Sequence, residues 1–143
     1  MSYEPSLWSN LHGAVTHFPI ALMLFAALCD CASLTVRSDE LRRGFHFTGT
    51  LALIVGALAS YVAVLSGLVV SRWRFWGHAT LLHHHQFVWP AFAMMTLLAV
   101  WRAAKWESSA RAQANLASVA LSVFTALLVS GAGYWGGELL NQG

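Results

Sequence analysis

Charged residues fall in short stretches and leave four long windows, 5–29, 44–71, 75–101 and 112–137, without Asp, Glu, Lys or Arg. Each holds at least 25 residues, and a membrane-crossing helix needs about 20 mostly apolar ones. The windows lack the polar face that a helix on a water-exposed surface keeps. They also lack the short alternating segments of a membrane β-barrel. The pattern predicts an all-α fold, an integral membrane four-helix bundle running up-down-up-down. The helices are expected over about 13–36, 46–70, 84–102 and 114–137, within a single transmembrane domain, 1–143. The opening MSYEPSLWSN has no positive n-region, so no cleaved signal peptide is expected.

Composition sharpens this reading. Hydrophobic residues make up 57% of the chain and charged ones 10%, against about 25% charged in an average soluble domain. The net charge is +2 from eight Lys and Arg spread along the chain. No basic stripe is present to neutralise phosphates, so nucleic-acid binding is excluded as a function.

Loop charge predicts orientation. Arg37, Arg42 and Arg43 lie between the first two helices, and Arg102, Lys105 and Arg111 between the last two. The second loop has only Arg72 and Arg74, and the termini have neither Lys nor Arg. Lys and Arg gather on the cytoplasmic side, so both termini are expected on the periplasmic side of a bacterial inner membrane. Trp8, Trp73, Trp76 and Trp135 then form an outer aromatic belt, and Trp101 and Trp106 an inner one.

Seven histidines are many for 143 residues, and they are unevenly placed. Alternating helices bring His12, His17, His78, His83, His84 and His85 to one membrane face and leave His46 at the other. Ionisable side chains inside a span are functional candidates. His17 is the deepest of the six. His12 projects about 140° away from it around the helix, so the two cannot share one ion. In a ring of four helices the first and third are diagonal, and imidazoles from both could bind haem b from its two sides. His17 is expected as one axial ligand and one of His83, His84 and His85 as the other, with His84 favoured. His12 is a spare ligand, a second-haem ligand or a propionate partner. Small residues on helices 2 and 4, among them Gly67, Gly133 and Gly137, would leave room for the macrocycle. Arg72 and Arg74 would meet the propionates. One haem is expected, because a second would have only His46.

Asp30 interrupts an apolar run, and a salt bridge to His46, Arg42 or Arg43 is expected there. Its functional reading, shared with His46, is a proton or quinone site. Cys29 and Cys31 match neither a CxxCH haem motif nor a metal knuckle and are expected as buried thiols. Glu138 could orient a ligand histidine. Pro19 and Pro90 either begin or kink helices 1 and 3.

The segment LHGAVTHFPIAL resembles the opening of a bacterial family of small four-helix membrane proteins of unknown function, whose motif reads His-Pro-x-x-Val-His-Phe-Pro-Ile. His12, His17, Phe18, Pro19 and Ile20 match it, while Gly13 replaces the first Pro and Thr16 the Val. Gly136 to Leu139 match the family's closing Gly-Gly-Glu-Leu, but the Tyr-x-x-Gly tail is cut short. The resemblance implies a bacterial integral membrane protein, often encoded near respiratory or cytochrome c genes, and supplies no activity.

The residues thus predict a haem b-binding subunit that transfers electrons at the periplasmic face, within a larger complex that includes partners such as a c-type cytochrome. A copper or other transition-metal binding or transport protein is the alternative, and a cofactor-free scaffold the third reading. No nucleophile–base pair or paired carboxylates point to an enzyme acting alone.

Overall fold

The computed structural model describes residues 7–105 and 115–141, with side chains to Leu139. Trp106 and Arg111, used above for the inner belt and the charge count, lie outside them. Four α-helices make up the described fold: α1 Leu7–Thr35, α2 Asp39–Val70, α3 Thr80–Ala104 and α4 Leu116–Asn141. No strand occurs among the described residues. All four helices are long and apolar enough to cross a membrane.

α2 starts five residues before its apolar window because polar residues cap it. Ser38 accepts a hydrogen bond from the Leu41 amide at 3.4 Å, and Asp39 and Glu40 follow in the first turn, where the helix dipole favours negative charge. Asn115 accepts from the Ser118 amide at 2.8 Å and caps α4 in the same way. α1 begins at Leu7 and α3 at Thr80, so Pro19 and Pro90 lie inside helices and do not begin them. The α2–α3 loop turns through Arg72 and Trp73, both in the left-handed region at φ 55° and 61°, and the Trp73 amide closes onto the Leu68 carbonyl at 2.7 Å.

α1 packs against α2 and α4, and α3 against α4 and α2, so α1 and α3 are diagonal in a ring. The closest packing lies within the α1–α2 and α3–α4 hairpins, and the two hairpins meet along thinner seams. Glycines permit the tight contacts. A Cβ at Gly49 would lie 3.0 Å from the Ala26 carbonyl, and one at Gly131 would strike the Phe87 ring. The buried core runs through Met23, Ala26, Leu53, Met95 and Leu98, while large apolar side chains such as Leu28, Leu58, Leu97 and Leu127 face outward. An apolar exterior around a partly polar interior suits a lipid solvent.

Candidate functional site

Polar side chains gather inside the bundle at two levels, one near each end. At the first, Asp30 on α1 is 0% exposed and Arg102 on α3 is 1% exposed. The guanidinium holds the carboxylate at both oxygens, Nη2 to Oδ2 at 2.5 Å and Nη1 to Oδ1 at 3.3 Å. His46 on α2 donates from Nδ1 to Asp30 Oδ1 at 3.2 Å. Ser122 on α4 donates to Asp30 Oδ2 at 2.6 Å and accepts from Arg102 Nη2 at 2.8 Å, and Ser118 also accepts from Nη2 at 3.0 Å. Thr50 gives its hydroxyl proton to the His46 carbonyl and accepts from Arg102 Nη1 at 3.4 Å. All four helices therefore contribute to one ion pair. Arg102 Nε is buried and has no hydrogen-bond partner among the described residues.

The expected salt bridge at Asp30 is present with His46, but its cation is not Arg42 or Arg43. Those side chains donate to the Val36 and Asp39 carbonyls instead. Nor is Arg102 a loop charge. It belongs to α3, and the nearest anion able to satisfy a guanidinium away from water is Asp30.

The second level lies at the opposite end, where the start of α1 meets the end of α2 and the start of α3 meets the end of α4. His84 Nδ1 lies 2.9 Å from the Ala132 carbonyl. A carbonyl only accepts, so Nδ1 carries the proton and Nε2 keeps its lone pair. His12 Nδ1 lies 2.9 Å from Ser66 Oγ. The Ser66 hydroxyl proton is already given to the Ala63 carbonyl at 2.9 Å, so here too Nδ1 donates and Nε2 is left as an acceptor. His12 and His84 come from the diagonal helices, and His12 is near enough for a charge on it to bear on His84. Glycines seat both rings. A Cβ at Gly67 would stand 2.9 Å from His12 Cε1, and one at Gly136 would stand 3.3 Å from His84 Cε1.

This arrangement corrects several expectations. His17 does not face the interior: it is exposed on the outward side of α1. The space beside Gly67 holds the His12 ring, while an added Cβ would meet only Ile20 at Gly133 and nothing within 4 Å at Gly137. His83 is exposed, stacked on Trp135 at 4.7 Å with Nδ1 toward Gln86 at 3.4 Å. His85 is buried beside His84, its Nδ1 without a partner among the described residues. His78 is an exposed loop residue. Arg72 and Arg74 are exposed and line a surface recess of about 300 Å³ with Val70, Ser71 and Leu81. Cys29 is buried as expected, but Cys31 is exposed. No hydrogen bond joins Glu138 to an imidazole among the described residues.

Helical phase explains which histidines turn inward. Eighteen residues are five whole turns of an α-helix and about 27 Å of rise. His12 and Asp30 are eighteen apart on α1, His84 and Arg102 eighteen apart on α3, and Gly136 and Ser118 eighteen apart on α4. Once Asp30 and Arg102 are buried against each other, the same faces must present His12 and His84 at the other end. His17 is out of phase with Asp30. Helical phase from Asp30, and not depth in the apolar run, marks the inward histidine of α1.

No curated protein and no solved structure matches the chain. A family model described as "Predicted membrane protein (DUF2231)" matches residues 9–142. That span takes in all four apolar helices and both polar levels between them, and the chain belongs to this family of predicted membrane proteins, DUF2231.

Proposed function

We propose that the protein is a haem b-binding membrane subunit that transfers electrons, with His12 and His84 as the axial ligands of one haem. The observation that carries this reading is the matched pair of imidazoles from diagonal helices, each tied at Nδ1 and each with its Nε2 lone pair unspent. A ligand histidine is commonly oriented by such a hydrogen bond from its other ring nitrogen. The two rings belong to different hairpins, and the thin seam between the hairpins is where a flat porphyrin would separate with least loss of packing. Arg72 and Arg74, in the loop at that end, would be the cations for its propionates.

Two imidazoles from diagonal helices suit haem better than a bare ion, because the porphyrin supplies the other four donors. Bare copper or zinc draws three or more donors from the protein. Among the described residues no group of three His, Cys, Asp or Glu is placed to hold a metal. Copper binding or transport is thus the second reading.

The proposal includes the setting. With Arg102 counted as buried, Arg37, Arg42, Arg43 and Lys105 still outnumber Arg72 and Arg74. The Asp30 end then faces the cytoplasm of a bacterium, and the haem and both termini face the periplasm, where a c-type cytochrome could exchange electrons with it.

Protein purified in mild detergent should show a Soret band that narrows and shifts on reduction with dithionite. His12→Ala and His84→Ala should each abolish it, while His17→Ala and His46→Ala should keep it. A colourless protein carrying stoichiometric copper would move the second reading ahead. A Soret band that survives both His12→Ala and His84→Ala would exclude this ligand pair.

A further inference from the structure

His17 lies ten residues into a 29-residue helix, about 6 Å from its midpoint, where the surrounding lipid is pure hydrocarbon. Its ring is exposed, and no described residue hydrogen-bonds to it. An unpartnered imidazole at that depth costs free energy that lipid cannot return, because acyl chains neither donate nor accept. Its partner must come from outside the four helices.

The face around His17 indicates what that partner is. Ala14, His17, Ala21, Leu24, Leu28 and Cys31 alternate three and four residues apart, and all six are exposed. This is the spacing with which two helices stay in contact along a left-handed crossing. One turn to either side of His17 stand Gly13, where an added Cβ would meet nothing within 4 Å, and Ala21. Both permit close approach of a second helix.

We infer that α1 is a self-association face, on which a second copy of this chain packs α1 against α1 and the two His17 rings hydrogen-bond each other. A neutral imidazole has one N–H donor and one ring-nitrogen acceptor, so a pair is self-complementary. Copies inserted the same way in one membrane are related by a twofold axis along its normal. Their α1 helices run parallel, and each position meets its own counterpart. The two rings share one depth in the membrane, and Cys31 meets Cys31. The inference does not depend on haem, because it involves neither His12 nor His84.

The native thiols provide the test, since Cys31 is exposed on this face and Cys29 is buried. Membranes holding the full-length chain are treated with a short bismaleimide and analysed on a denaturing gel. A band of twice the chain mass is expected. It should be lost in Cys31→Ser and kept in Cys29→Ser. His17→Leu should lower the cross-linked fraction roughly threefold, the ratio a typical interhelical hydrogen bond sustains, and His17→Asn, which keeps a donor and an acceptor, should restore it. His17→Leu faces outward, so its helicity should match the parent. Absence of a Cys31-dependent homodimer overturns the inference. So does a cross-linked fraction indifferent to His17→Leu, or Cys31 captured only by a different protein. Loss of the Soret band with the dimer intact would count against the haem proposal alone.

Discussion

Arg102 and Asp30 are cut off from solvent, so neither can be removed alone without stranding the other's charge. Breaking a buried pair from one side typically costs about 3–5 kcal/mol, whereas replacing both members with apolar residues is often neutral. Asp30→Ala should therefore lower stability in detergent by about 3–5 kcal/mol, and Asp30→Leu with Arg102→Leu should recover most of the loss. Thermal unfolding followed by circular dichroism would check this. A double variant as unstable as the single one would mean that the pair does more than neutralise itself. Ser122 bridges the two charges, donating to one and accepting from the other. Ser122→Ala leaves both partly unsatisfied and should cost about 1–3 kcal/mol on the same assay.

At the scale of elements, the hairpins are held by backbone approach at glycines, and the space around each glycine predicts its tolerance. Gly131 on α4 faces the Phe87 ring of α3 so closely that an added methyl must push the ring aside. Gly131→Ala should destabilise the α3–α4 hairpin by about 1–3 kcal/mol, the usual cost of overpacking. Gly137, on the same helix, has nothing within 4 Å of an added Cβ. Gly137→Ala should be neutral or stabilise by up to about 1 kcal/mol through helix propensity. Similar losses for both would show that packing at Gly131 is not what matters. Gly67 links two elements differently, since its missing Cβ is where the His12 ring sits. Gly67→Val should dislodge His12 and reduce haem content, read as Soret absorbance per protein, with the bundle still helical.

For the whole molecule, the two polar levels stand about 27 Å apart by helical rise, close to the roughly 30 Å thickness of a bilayer's hydrocarbon core. The ion pair and the imidazole pair thus sit near opposite edges of that core, with the apolar side chains of Met23, Leu53 and Met95 between them. Cations cluster in the connections at the Asp30 end, so that end should face the cytoplasm. A reporter active only in the cytoplasm should be silent at the C-terminus and active in the α1–α2 connection around Arg37. The opposite pattern would invert the orientation and place the imidazole pair on the cytoplasmic side.

The number of spans, their alternation and the segregation of histidines from Asp30 and His46 were legible in the sequence. They follow from one local constraint: lipid excludes unpaired charge, so charge-free windows mark the spans, and chain order alone sets which ends meet. The inward residues were only partly legible. Asp30, a charge inside a span, must face inward, and five whole turns carry that face back to His12, whereas depth in the apolar run points to His17. Arg102 stands at the edge of a window and so reads as a loop cation in the sequence. Its partnership with Asp30 spans 72 positions of the chain. Which of the boundary charges enters the bundle depends on where four helices converge. Tertiary packing alone settled that, because a guanidinium can be buried only where a carboxylate and hydroxyls from other helices meet it.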